Sequence, residues 1–248
     1  MKRLISISVF LLIFSTLALA SVIEIEVKME TKGRISALLS SNSGGVLKIL
    51  PEFYNTGSVA YKARARLDVL NSSDLIFTGW SKEETLMPGE RKNFEIYWFS
   101  PEAFNNLTAN IRVYYGREIF EYSMPLDIGN ISTQEDVFQI KSFRAYDDYI
   151  KFQIRSDKGS EDVLVIPKDY TDGWVFEQSK IGKISQDRNT EVMIKYEPTV
   201  WMSQEISLEV VTADGKYRSV KQFQLEKETG LLKYVHYLED RIRLLLNL

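Results

Sequence analysis

The strongest constraint in this chain is a period of two. Tyr61, Ala63, Ala65, Leu67 and Val69 alternate with Lys62, Arg64, Arg66 and Asp68, and Ile23, Ile25, Val27 and Met29 alternate with Glu24, Glu26, Lys28 and Glu30. Successive side chains of an extended backbone point to opposite faces, so each segment buries one face and wets the other. That is the pattern of half-buried antiparallel strands. Further strands are predicted over 46–54, 75–80, 93–99, 109–115 and 119–128, spaced by turn residues at intervals that suit a sandwich rather than βαβ units. Pro51 is expected on an edge or at a bulge, because it has no N–H to give to a ladder.

The polar run Gly129 to Glu135 carries no alternation, and after it the pattern restarts. Strands are predicted over 138–146, 150–155, 163–166, 174–176, 191–196, 206–212 and 217–225, with tight hairpin turns at Asp147-Asp148 and Asp214-Gly215. The expected organisation is all-β: a sandwich over 21–129, a linker at 130–135, a second sandwich over 136–228, and a C-terminal helix at 229–248.

The N-terminus has the form of an export signal over 1–20. Lys2 and Arg3 precede an apolar run, and Ala18-Leu19-Ala20 supplies the small residues that a signal peptidase needs. An uncleaved anchor is the alternative, and either way the bulk of the chain is expected outside the cytoplasm or in the cell envelope. Removing 1–20 takes two basic residues and no acid, moving the formal net charge from −3 to −5. Nucleic acid is therefore a poor partner, since its binders need a basic surface to displace counterions. The chain has no cysteine, which excludes redox chemistry and thiolate zinc sites and leaves the fold to its apolar cores.

From Gly230 to Leu248 the period changes. Leu231, Val235, Leu238, Ile242 and Leu245 recur at spacings of four and three, with Lys233, His236, Asp240 and Arg243 opposite and Thr229 as N-cap. The apolar face is wider than one sandwich flank covers, so it is expected to meet the second sandwich, a partner protein or second copy, or a membrane surface.

One stretch carries a family likeness. Asn55-Thr56-Gly57, the turn Pro88-Gly89-Glu90, and the strand with Phe94, Ile96 and Trp98 facing inward resemble the CARDB-like (cell-adhesion-related) and similar Ig-like or fibronectin type III-like sandwiches of archaeal and bacterial surface proteins. The resemblance covers about residues 46–128. It implies that Gly57 and Gly89 sit at positive φ, that Trp98 fills the core, and that the protein serves in adhesion, scaffolding or display. It carries over no catalytic residue.

Candidate chemistry is sparse. The sole histidine, His236, falls on the polar side of the terminal helix, and no nucleophile elbow, phosphate loop or zincin motif occurs. No catalytic residue, metal site or cofactor is assigned. Asp157, Glu161 and Asp162, or Asp169 and Asp172, offer clustered oxygen ligands for calcium, but without EF-hand spacing they are better explained as turn residues. Trp80, Trp174 and Trp201 lie near strand ends and are candidates for stacking on a sugar, against the plainer reading of core packing. Lys62, Arg64 and Arg66 line one strand face, suited to an anionic polymer or simply to a guarded, solvated face. The sequons at Asn71, Asn106 and Asn130 all fall between predicted strands and are candidate glycosylation sites. The expectation from sequence is a non-enzymatic surface structural or adhesion protein. The alternatives are a carbohydrate-binding module, or a periplasmic-type assembly chaperone that pairs a client strand along an open edge.

Overall fold

The computed structural model describes residues 29–104, 106–198 and 203–225. The predicted signal at 1–20, most of the alternating segment before Met29, Trp201, and the predicted helix with its face of Leu231, Val235, Leu238, Ile242 and Leu245 lie outside the described residues, as does His236. Among the described residues every regular element is a strand, and every strand pairing is antiparallel.

The first half contains β1 (Gly33–Ser43), β2 (Val46–Asn55), β3 (Tyr61–Asn71), β4 (Asp74–Trp80), β5 (Glu84–Leu86), β6 (Arg91–Asn93), β7 (Ile96–Phe99), β8 (Leu107–Tyr115) and β9 (Glu118–Leu126). One sheet joins β1, β2, β6 and β7, and the other runs β4-β3-β8-β9 with β5 beside β3. The alternation of β3 does what its sequence requires. Ala63, Ala65, Leu67 and Val69 are buried in a core shared with Leu47, Ile49 and Phe53 of the facing sheet, while Lys62, Arg64 and Arg66 point the other way.

The second half contains β10 (Phe138–Ala145), β11 (Tyr149–Ser156), β12 (Ser160–Lys168), β13 (Val175–Phe176), β14 (Ser179–Ile184), β15 (Asn189–Glu197), β16 (Gln204–Thr212) and β17 (Arg218–Leu225). Its sheets run β10-β11-β15-β13 and β14-β12-β16-β17. Ile150, Phe152 and Ile154 of one meet Val163, Val165, Ile206 and Leu208 of the other in a second core. The arrangement is sandwich-like in both halves.

The two short motifs of the first half prove to be neighbours. The Asn55 N–H donates to Glu90 O at 3.0 Å and the Gly89 N–H donates to Asn55 O at 2.9 Å. The fully buried Asn55 side chain accepts from the Gly57 N–H and donates to the Val59 and Leu86 carbonyls, so one amide closes three backbone groups. Gly89 is at φ 79, as a Pro-Gly turn demands. Gly57 is not at positive φ. Its need for glycine is steric, because a Cβ there would lie 2.2 Å from Glu30 O.

Other expectations are corrected. Pro51 is in β2, which has neighbours on both sides, and it falls between the stretch paired with β7 and the stretch paired with β6; there the Phe94 N–H donates to Pro51 O at 3.0 Å, and Pro51 has no N–H to return. Asp214-Gly215 belong to the five-residue connection between β16 and β17, in which the Gly215 N–H donates to Thr212 O at 2.8 Å, rather than to a two-residue turn. β1, β5 and β14 have no counterpart among the predicted strands.

Several tyrosines are held protonated by burial. Tyr61 is pushed up to about 12, and Tyr97, Tyr170 and Tyr196 are raised further, in each case chiefly by burial. In the unfolded chain the phenol titrates near 10, so the stabilisation from neutral buried phenols is complete below about pH 10 and is lost as pH rises through the folded values. Alkaline unfolding is therefore expected to begin above about pH 10, with tyrosinate absorbance and loss of β-sheet circular dichroism appearing together. Full tyrosine ionisation with the sheet signal intact would contradict it.

Candidate functional site

Two apolar runs break the alternation, Ile96-Tyr97-Trp98-Phe99 in β7 and Val163-Leu164-Val165-Ile166 in β12, and the fold brings them to one seam. In β7, Ile96 and Trp98 lie opposite Ile49 and Leu47 and face the first core. Tyr97 and Phe99, on the other face, are buried too. In β12, Val163 and Val165 belong to the second core, whereas Leu164 and Ile166, with Val211 of β16, join the first. The outer face of the second half's sheet thus closes the side of the first sandwich where edge strands β4 and β7 approach each other. A strand covered on both faces must be apolar at every position, which is why these runs do not alternate.

Polar groups register the seam. The Tyr97 N–H donates to Gln178 Oε1 and Gln178 Nε2 donates to Tyr97 O, both at 2.7 Å, so one buried side-chain amide occupies the place of a neighbouring strand on β7. The Tyr170 hydroxyl donates to Thr78 O at 3.0 Å. Arg64 meets Glu197 at 2.7 Å, and Arg66 meets Asp172 at 3.1 Å while its guanidinium lies 5.5 Å from the Trp80 ring centre. Glu209, buried at 1% exposure, is held by Arg218 at 2.6 Å and Lys168 at 3.5 Å, and Arg218 also covers the Phe99 ring. The segment 129–135 is pinned as well: Ser132 N–H to Gly44 O, Glu135 N–H to Lys216 O, and Arg218 N–H back to Glu135 O.

Gln178→Ala would leave the Tyr97 N–H and carbonyl, both buried, without these partners. Each orphaned buried group costs about 1–3 kcal/mol, so a loss of about 2–4 kcal/mol is expected in urea unfolding. A change under about 0.5 kcal/mol, the ordinary range for surface substitutions, would show that water replaces the amide.

The seam opens outward into a groove of about 530 Å³ bordered by Glu83, Glu84, Tyr149, Glu177, Met193 and Lys195, continuous with a hollow of about 270 Å³ between Lys82 and Lys180. Its walls mix both charge signs with an apolar patch at Met193, which is 61% exposed. Such a surface can hold a polar chain by hydrogen bonds.

The sequence-predicted residues distribute as follows. Trp80 and Trp174 are buried: Trp80 packs on Tyr114 at 5.3 Å, and Trp174 stacks with Phe176 and Tyr196. Neither has a ring face open to a sugar. The Lys62, Arg64, Arg66 face is engaged by Glu83, Glu197, Asp68 and Asp172 rather than turned to an external polyanion. Asp162 pairs with Lys180 at 2.8 Å and Glu161 with Lys183 at 3.9 Å, Asp157 accepts from Gln139, and Asp169 sits at φ 60. Among the described residues no three His, Cys, Asp or Glu side chains gather to hold a metal ion. Asn106 and Asn130 are exposed, and Asn71 is half-buried at the end of β3. The Ser72 N–H donates to Asn106 O at 3.3 Å, which brings the first two sequons side by side. Gln178 was missed because nothing in a sequence pairs a glutamine with a backbone 81 residues away.

The class defined by these observations is an all-β protein of packed antiparallel sheets. No known protein family and no curated protein sequence matches the chain. Solved structures similar to it include red sea bream transglutaminase, at 10% identity and TM-score 0.27 over 79% of this chain and 32% of that one. The N-terminal periplasmic domain of ScsB from Proteus mirabilis is similar at 14% identity and TM-score 0.30, over 77% of this chain and 92% of that one. The exo-chitosanase CsxA of Amycolatopsis orientalis follows at 8% and 0.26, over 75% and 26%. The chain spans about a third of the length of the transglutaminase. Likeness at this level carries no argument about activity.

Proposed function

We propose that this protein is an exported, non-catalytic structural or adhesion component of the cell surface, in which two Ig-like sandwiches, the first CARDB-like over about residues 46–128, act as one stiff body. The observation that supports this most directly is the seam. Leu164, Ile166 and Val211 of the second half complete the apolar core of the first, and Gln178, Arg64 and Arg66 fix the register. Tandem sandwiches joined in this way hold a constant distance and angle between their ends, which is what a spacer or scaffold requires and what a flexible tether lacks. The abundance of paired surface charge with an acidic balance suits a protein that stays soluble at an envelope. Exposed Asn106 and Asn130 leave room for glycans.

Antibody labelling of intact cells that express the gene natively tests the proposal. Surface labelling, with no saturable change in tryptophan fluorescence on titration with envelope oligosaccharides, is the expected result. Retention of the protein in the cytoplasm would overturn the surface role. A saturable fluorescence change would favour the carbohydrate-binding alternative.

A further inference from the structure

The outer face of the sheet formed by β1, β2, β6 and β7 carries a row of two arginines and a tyrosine. Arg34 of β1 and Arg91 of β6 lie directly opposite Tyr54 of β2, one on each side of it. Their guanidinium carbons stand 5.8 Å and 4.9 Å from the centre of the Tyr54 ring, so the ring is flanked by two cations. Phe53, the next residue of β2, is fully buried in the core, which turns the row toward water. Arg34 is exposed, and the Arg91 side chain is 57% exposed.

Elsewhere in the protein the arginines are matched. Arg64, Arg66, Arg112, Arg155 and Arg218 each meet a carboxylate at 2.6–2.8 Å, and Lys48, farther along the same outer face, is matched by Glu95 at 2.8 Å. Arg34 meets no carboxylate among the described residues. Arg91 reaches only Glu52, at 3.5 Å, through an oxygen that also accepts from the Ser36 hydroxyl. The row therefore sets two cations against one shared carboxylate. A guanidinium laid beside an aromatic ring loses little further freedom on binding and keeps its planar fork of N–H donors for a carboxylate. The spacing selects the partner. β1 and β6 are two strand spacings apart, roughly 10 Å. Acidic side chains on one face of a peptide strand recur at about 7 Å and along a helix at about 5–6 Å, and nucleic acid carries a phosphate about every 3.4 Å along each strand. An extended polysaccharide in which every second sugar is a uronate places its carboxylates one disaccharide apart, the match to this row.

We propose that Arg34, Tyr54 and Arg91 form a binding site for an acidic polysaccharide with one carboxylate per disaccharide. Each guanidinium takes one carboxylate through two parallel N–H···O bonds, and the uncharged sugar between them lies over the edge of the Tyr54 ring. This gives the adhesive reading a ligand and rests on that reading for its setting alone. The chemistry holds or fails with the purified protein, whatever its place in the cell.

Titration calorimetry of the full-length protein with hyaluronan oligosaccharides, in which glucuronate alternates with an uncharged sugar, should show saturable binding that weakens as salt is raised. Arg34→Gln and Arg91→Gln should each weaken it by about tenfold or more, as loss of a hydrogen-bonded charge pair does. Both positions are exposed, so the urea midpoint should stay in place. Arg34→Lys, which keeps the charge but not the planar fork, should recover only part of the affinity. Arg188→Gln, exposed between β14 and β15, should bind as the wild type does. No binding, or binding that survives both glutamine substitutions, would overturn the proposal. Equal affinity for polygalacturonate, with a carboxylate on every sugar, would overturn the spacing on which it rests. Equal affinity for poly-glutamate would overturn it in favour of an acidic protein partner.

Discussion

Trp98→Ala is expected to lower stability by about 3–5 kcal/mol, the range found for truncating a large buried aromatic. Trp98 is 5% exposed, stacks on Phe77 at 6.1 Å and lies opposite Leu47 in the ladder. It is therefore packed from its own sheet, from β4 and from the core beneath. Neighbouring strands tied at both ends cannot collapse into the space it leaves, so the cavity cost adds to the lost burial. Urea unfolding followed by circular dichroism measures the effect without relying on the deleted fluorophore. Wild-type stability in this variant would mean that the register of β7 is wrong.

Gly215→Val is expected to cost about 3 kcal/mol or more and to loosen the seam as well. Gly215 lies at φ 72 and Gly44 at φ 60, and the two backbones touch: a Cβ on Gly215 would stand 2.1 Å from Gly44 O, and one on Gly44 would stand 1.9 Å from Asp214 O. The left-handed conformation alone costs an L-residue about 1–2 kcal/mol. The remainder comes from backbone atoms that no rotamer change can move aside. Gly89→Ala separates the two contributions, because Gly89 shares the positive φ at 79 but has open space around it. It should lose about 1–2 kcal/mol. Equal losses in the two variants would show that the contact between the Gly44 and Gly215 turns is dispensable.

How much of this was legible in the sequence depends on the faces each strand presents. β3, wet on one side, declares itself by alternation, and its limits agree with prediction to within two residues. β1 does not: its sequence GRISALLSSNS has no period because, as an edge strand, it is mostly exposed on both faces. β5 is three residues long and β14 interrupts its pattern with Gly182, so neither gives a window long enough to show a period. The continuous runs in β7 and β12 were visible, but recognising them as doubly covered strands requires knowing that they face each other. The same holds for Arg64 and Arg66. Their outward direction is written in the sequence, whereas Glu197 and Asp172, more than a hundred residues on, reach them only through the packing of the halves. Trp80 and Trp174 take the plainer of the two readings their sequence positions allow, since the seam and the second core absorb both rings.

The pinned segment 129–135 and the seam connect the two halves in parallel, and under tension they would not share the load equally. A pull transmitted along the chain would meet the contacts of Gln178 with Tyr97 and of the Gly44 turn with the Gly215 turn. Only after these part can the seven connecting residues straighten, to a length of roughly 25 Å at about 3.5 Å per residue. The molecule would therefore yield by a small, recoverable extension before either sandwich gave way, a fuse in series with two stiff elements.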